Sequence, residues 1–244
     1  MGSSTISLGL GLGGGKAATS SGSPGGGGGL LNQYSVSFDG SNDYATATLG
    51  SQVFDGDFAI SFWAKPVTST HTYCTLMQLG NYSGGFRLYR YPPSGNFAWW
   101  NGITGTSVFG NFGSSSANAW MNMTIVRSGT VMTAFINGSQ VATQDNTHSA
   151  QSYTSTAYDI SFTQFPYEGF MDEVALWDSA LTSSNVTAIY NSGVPNDLSA
   201  LSPVNWWRMG DINGASGVTI TDQGSGSNNA TLINGPTYST DVPS

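Results

Sequence analysis

Charge is what this chain has least of. Of its 244 residues, 8% are Asp, Glu, Lys or Arg, against roughly 25% in an average soluble domain. Lys16, Lys65, Arg87, Arg90, Arg127 and Arg208 are the whole basic inventory, and the net charge is −8. Phosphate contacts need clustered Lys and Arg, so a nucleic-acid partner is excluded. Cysteine occurs once, at Cys74, which rules out an internal disulfide. No apolar run approaches the ~20 residues of a spanning helix, so no membrane insertion is expected. Residues 6–12 are diluted by glycine and followed by Lys16, which is not the pattern of a secretory leader. Solubility rests on Ser, Thr, Asn and Gly.

Catalytic groups are equally scarce. Glu168 and Glu173 are the only glutamates, with Asp172 between them. Glycoside hydrolysis needs two carboxyl groups roughly 5–5.5 Å apart for retention, or ~6.5–9.5 Å for inversion. On a strand rising about 3.3 Å per residue, Glu168 and Asp172 share a face about 13 Å apart and Glu173 points to the opposite side. No G-x-S-x-G elbow is present, and His71 and His148 stand alone in Thr/Ser-rich stretches. Cys74 lies three residues from His71. On a strand that spacing sets them on opposite faces, and the thiol reads as a small buried hydrophobe. No enzyme is expected.

What the chain does have is glycine and short alternating segments. Twelve of its 33 glycines lie in the first 29 positions. Residues 1–33 therefore read as a Gly/Ser-rich N-terminal arm, either a disordered linker or an arm ordered only against neighbouring subunits. Residues 34–244 read as one all-β domain. SVSF (35–38) and YATATL (44–49) flank the turn Asp39-Gly40-Ser41-Asn42-Asp43. FAISFWAKP (58–66) alternates two different faces. MNMTIVR, TVMTAFI and SQVAT are joined through Ser128-Gly129 and Asn137-Gly138, and Asn-Gly between alternating strands is the strongest short hairpin signal. From Gly169 to Trp177, Phe170, Asp172, Val174 and Leu176 alternate with Met171, Glu173, Ala175 and Trp177. The run Thr182-Ser183-Ser184, the spacing Val186, Ile189, Tyr190 and the stop Asn191-Ser192-Gly193 predict one short capped helix near 183–191. Trp206 and Trp207 are adjacent on a strand, so one of them is expected to face out or cover a loop.

Five pieces together resemble laminin-G-like domains of the concanavalin A-like lectin/glucanase superfamily. They are SFDGSNDY (37–44), FAISFWAKP (58–66), WMNMTIVRSGTVMTAFINGSQV (120–141), GFMDEVALWDSALTSSNVTAIYNSG (169–193) and VNWWRMGDINGASGVTITDQGSGSNNATLINGP (204–236). The resemblance implies a two-sheet antiparallel jelly-roll sandwich. In the usual order the last piece precedes the first, whereas here it closes the chain. Either the C-terminal strands are circularly shifted, or residues 198–238 are half of a truncated second repeat. The shift is preferred, because each piece occurs once. Laminarinase-type glucanases of the superfamily space their carboxylates Glu-x-Asp-x-x-Glu, which the Glu168-x-x-x-Asp172-Glu173 run does not reproduce.

Two candidate sites follow. Asp39 and Asp43 bracket a Gly-Ser-Asn turn and offer hard oxygen ligands for Ca²⁺. Laminin-G-like domains often hold calcium at the sandwich rim, and Asp172 matches the Asp of the family's closing strand, so Asp39, Asp43 and Asp172 form the candidate metal set. The competing reading gives Asp39 and Asp43 to Asx turns and Asp172 to structural hydrogen bonding. Tyr89, Tyr91, Trp99 and Trp100 form a candidate glycan platform. Alternation sets Arg87, Tyr89 and Tyr91 on one face and Phe86, Leu88 and Arg90 on the other. Against this, strand aromatics often belong to a core or an interface.

Tailed-phage structural proteins frequently carry laminin-G-like domains with an opening like SFDGSNDY and an ending like NGPTYSTDVP. The resemblance therefore implies a non-enzymatic virion protein, a capsid decoration or tail-associated component attached through its N-terminal arm. Its partners would be other virion proteins and copies of itself. The alternative is a carbohydrate-binding adhesin or receptor-binding module, extracellular or at a cell surface, that takes a host-surface glycan.

Overall fold

The computed structural model describes residues 30–50, 53–80, 84–161 and 163–244. Among these, sixteen strands form two antiparallel sheets of eight. The first sheet holds β1 (Ser35–Asp39), β3 (Phe58–Pro66), β8 (Met121–Ser128), β9 (Val131–Ile136), β10 (Ser139–Asp145), β12 (Glu168–Trp177), β13 (Asn205–Trp207) and β16 (Thr237–Ser239). Its order is β10-β9-β8-β3-β12-β1-β16, with β13 paired to β12. The second holds β2 (Tyr44–Thr48), β4 (Cys74–Leu79), β5 (Phe86–Arg90), β6 (Asn96–Asn101), β7 (Thr106–Ser114), β11 (Ala157–Ile160), β14 (Thr219–Ile220) and β15 (Ala230–Ile233). Its order is β14-β15-β2-β11-β4-β5-β6-β7. The expected jelly-roll sandwich is present.

Alternation builds the core. Phe58, Ile60, Phe62 and Ala64 of β3 face inward, against Leu79, Phe86, Leu88 and Trp99 of the second sheet. Ala59 faces the other way, into a second cluster with Val126, Phe135, Ala175 and Trp177. That outer cluster is covered by helix α1 (Ser183–Tyr190), whose buried residues are Val186 and Ile189. The Thr182 side chain caps the helix and Asn185 closes a reciprocal box, while Asn191 takes the left-handed C-cap. Asn137 and Gly138 both have positive φ, 50° and 74°, as a type I′ hairpin turn requires.

The C-terminal segment belongs to the same sandwich. β13 pairs with β12, β15 with β2 and β16 with β1. Residues 198–238 thus complete both sheets, as the circular shift expects, and are not half of a second unit.

One local expectation needs correction, and two gain detail. The strict alternation of β12 breaks at a β-bulge: Asp172 lies opposite Trp63 and Ala175 opposite Ser61, so one extra residue is accommodated, with Glu173 at φ 47°. Met171, Val174 and Leu176 therefore share the inner core. Asp172 and Glu173 both turn outward instead of taking opposite faces. Trp206 and Trp207 are both buried. Trp207 stacks on Tyr158 in the main core, with ring centroids 5.8 Å apart, and Trp206 sits in the outer cluster. Contacts with the sandwich also reach back before residue 34. Leu30 packs on the outer cluster, the Asn32 amide donates to Asp172, and the Gln33 and Tyr34 N–H groups donate to Asp211. Leu30 docks through apolar contact, and the other three by satisfying the Asp172 and Asp211 carboxylates. Residues 1–29 of the expected arm lie outside the described residues.

Candidate functional site

On the outer face of the second sheet, one row of residues crosses six consecutive strands in register. It runs Thr46, Asp159, Gln78, Arg87, Trp100, Ser107. Arg87 and Trp100 lie there because Phe86, Leu88 and Trp99, their strand neighbours, point into the core. Above this row opens a depression of about 560 Å³, lined by Tyr73, Arg87, Tyr89, Tyr91, Trp100, Gln164 and Phe165. That volume lies within the roughly 300–1,000 Å³ typical of small-ligand sites.

Two loops complete the walls. Tyr73 precedes β4, and Phe165 sits between β11 and β12. The Thr75 N–H donates to the Phe165 carbonyl at 2.7 Å, which brings the two loops together and sets the Tyr73 and Phe165 rings 4.5 Å apart. Tyr89 stands edge-on to both, at 5.6 Å from Tyr73 and 6.1 Å from Phe165. Tyr91 contacts Tyr73 at 6.3 Å. The result is a cup with aromatic walls and a guanidinium in its floor.

Arg87 is held on several sides. Its Nε donates to Gln78 Oε1, and Gln78 is itself fixed by Nε2 donating to the Gly80 carbonyl at 2.8 Å. Arg87 Nη1 donates to the Tyr89 hydroxyl at 3.1 Å. The guanidinium lies 5.7 Å from the Phe165 ring centre and 6.0 Å from that of Tyr89, within cation–π range.

Of the expected glycan residues, Tyr89, Tyr91 and Trp100 line the cup. Trp99 does not. It is 0% exposed, stacked on Phe86 at 4.1 Å, with its indole N–H donating to the Tyr153 hydroxyl at 3.3 Å. Adjacent strand residues face opposite sides, so the Trp99-Trp100 pair could not act as one platform. Tyr73, Gln164 and Phe165 are additions that no strand pattern marks, since they come from loops.

The three candidate calcium carboxylates are not brought together. Among the described residues, no group of three His, Cys, Asp or Glu side chains is placed to hold a metal ion. Asp39 and Asp43 shape their own turn: Asp43 Oδ2 accepts from the Asp39 N–H at 3.1 Å, and Asp39 Oδ1 accepts from the Ser41 N–H at 2.8 Å. Burial raises the Asp43 carboxyl above its ordinary value. Asp172 is sealed in the bulge of β12, accepting from Asn32 and from the Glu173 N–H. Asp39, Asp43 and Asp172 therefore do not form one carboxylate ligand set.

Glu173, Asp211 and Asp222 are likewise engaged in structural hydrogen bonds. Glu173 accepts from Arg208 Nε at 3.0 Å and from Trp206 Nε1 at 2.5 Å, and Arg208 also reaches Asp211 at 2.8 Å. Burial, then the neighbouring Glu173 charge, push Asp172 well up. Burial lifts Glu173 to about 7 against the pull of Arg208. Asp222 organises the TDQGSGSNN loop by accepting from the N–H groups of Trp206, Gly224 and Asn228. Cys74 is buried, as expected.

With that geometry in place, comparison with known proteins identifies the lineage. The family model Laminin_G_3, Concanavalin A-like lectin/glucanases superfamily, matches residues 39–187. The chain belongs to this family. The match stops short of residues 204–236, the piece that the circular shift displaces. Among solved structures, this laminin-G-like chain is similar to a putative carbohydrate binding protein from Bacteroides ovatus ATCC 8483. That likeness has TM-score 0.62 and 19% identity, over 88% of this chain and 62% of the other. It is also similar to a heptameric SAP-like pentraxin from Limulus polyphemus (TM-score 0.51, 15% identity, 65% and 82% covered). A third is the Ruminococcus gnavus IT-sialidase CBM40 bound to α2,3 sialyllactose (TM-score 0.51, 13% identity, 67% and 100% covered). At these identities the likeness is one of fold. The chain spans about three fifths of the Bacteroides protein's length. Among curated proteins, none matches the sequence.

Proposed function

We propose that this laminin-G-like sandwich is a non-enzymatic carbohydrate-binding module, and that the cup on the outer face of the second sheet is where the sugar docks. The observation that carries this is the joining of Tyr73, Tyr89 and Phe165 around Arg87 on a sheet face whose other side is fixed by core packing. Aromatic rings cover the apolar face of a sugar, and the surrounding polar groups take its hydroxyls. Neighbours named as a putative carbohydrate binding protein and as a sialyllactose-bound module add support by fold. Screening the intact chain on an immobilised glycan panel tests the reading, with Tyr89→Ala and Phe165→Ala beside it. Saccharide capture that both variants lose is expected; capture unchanged in both would refute the site.

The setting expected from the sequence is a virion surface, with the sandwich displayed and its N-terminal region attached to other virion proteins or copies of the chain. One relation favours it over a free extracellular module. The described chain enters at Leu30, against the outer cluster of the first sheet, while the cup opens on the far side of the second. Attachment and binding would then use opposite faces. A chain lacking residues 1–29 should fold and capture saccharide but fail to join assembled particles; normal incorporation would remove the virion part of the reading.

A further inference from the structure

We infer that the cup selects saccharides bearing a carboxylate, and that Arg87 reads it. This rests on the carbohydrate-binding reading and names its ligand class. The first ground is sign. The chain has net charge −8, yet the described lining of the cup contains one arginine and no carboxylate. The nearest acid in the row is Asp159, and Gln78 stands in register between it and Arg87.

The second ground is preorganisation. Arg87 is only 4% exposed, and its plane is set from two directions, by Gln78 at Nε and by the Tyr89 hydroxyl at Nη1. A neutral sugar needs no fixed cation, for which amide and hydroxyl groups suffice. A guanidinium whose plane is already set offers a planar fork of N–H donors matched to a carboxylate, which a lysine ammonium lacks. An anion brought beside it gains from the aromatic walls, which exclude water around the contact.

The third ground is placement. The Arg87 guanidinium lies 6.0 Å from the Tyr89 ring centre and 5.7 Å from that of Phe165, so a pyranose in contact with those rings carries a substituent within reach of the guanidinium. The charge then sets which sugar binds, while the rings supply contact area to any.

Titration calorimetry on the intact chain tests this with two matched pairs: α2,3-sialyllactose against lactose, and methyl β-glucuronide against methyl β-glucoside. At least one acidic member should bind roughly tenfold or more tighter than its neutral partner, the scale of a charge-assisted hydrogen bond. The preference should shrink at higher salt. Arg87→Gln should bring the acidic member of each pair down to the affinity of its neutral partner, and Arg87→Lys should restore only part of the preference. If either variant fails a circular-dichroism check of folding, the wild-type pairs alone decide. Equal affinity within both pairs would overturn the carboxylate assignment and leave the carbohydrate reading standing. So would a preference that survives in folded Arg87→Gln. Failure of the wild type to bind any of the four sugars would overturn both.

Discussion

Phe86 and Trp99 stack 4.1 Å apart on the core side of the strand pair β5–β6, and the outer side of that same pair carries Arg87 and Trp100. The stack fixes the floor of the cup from beneath. Removing a buried aromatic costs roughly 3–5 kcal/mol. Trp99→Ala should therefore lower the urea midpoint steeply, whereas Trp100→Ala should cost less than half as much and weaken saccharide binding. Paired denaturation and binding curves check this. A Trp99→Ala chain as stable as the wild type would break the link between core and cup.

Acidity should stabilise this protein where it weakens many others. Asp172 and Glu173 both have folded-state values above their ordinary ones of 3.8 and 4.5, Asp172 well above and Glu173 at about 7, with burial the leading cause for each. Groups raised on folding contribute stability in full below the unfolded value and lose it as pH rises through the folded one. Asp197, lowered by the Ser199 N–H, works in the opposite sense but only as pH falls through its unfolded value of 3.8. Melting temperature should thus fall from about pH 5 to pH 8, and Asp172→Asn should flatten that slope. A melting temperature that climbs over the interval would contradict the buried-acid assignment.

Cys74 is 2% exposed, and burial pushes its thiol up to about 12. The thiolate is the reactive form, so the folded chain should resist alkylation by iodoacetamide at neutral pH and react once denatured. Rapid labelling of the native protein, read by mass spectrometry, would show that the first strand beside the cup opens.

The cap on α1 is a small, separable contribution. Thr182 Oγ1 accepts from the Asn185 N–H at 3.2 Å while Asn185 Oδ1 accepts from the Thr182 N–H at 3.0 Å. Thr182→Ala should cost about 1 kcal/mol in urea unfolding and leave sugar affinity unchanged, because the helix covers the face opposite the cup.

The strands were legible because their chemistry is local. Period-two alternation gives FAISFWAKP its two faces, and Asn137-Gly138 can only be a tight hairpin. The helix announced itself through Thr182 and Asn191. Other features depend on contacts that no periodicity encodes. The bulge at Glu173 is one: a charged residue in a strand has no local reason to take φ 47°, and does so to meet Arg208 and Trp206, more than thirty positions on. The same holds for Asn32, Gln33 and Tyr34, drawn onto the domain by Asp172 and Asp211. Strand spacing gave four of the seven described lining residues of the cup, Arg87, Tyr89, Tyr91 and Trp100. Tyr73 and Phe165 required the loop contact made through Thr75. The three calcium candidates lie apart for a related reason, since Asp39 and Asp43 are engaged in closing their own turn.

The measurement that bears most directly on this account is a crystal structure of the chain with its tightest-binding oligosaccharide. A sugar ring lying against Tyr89 and Phe165, with polar contact to Arg87, is the predicted result. A ligand ordered elsewhere on the sandwich, with the cup filled only by water, would contradict it.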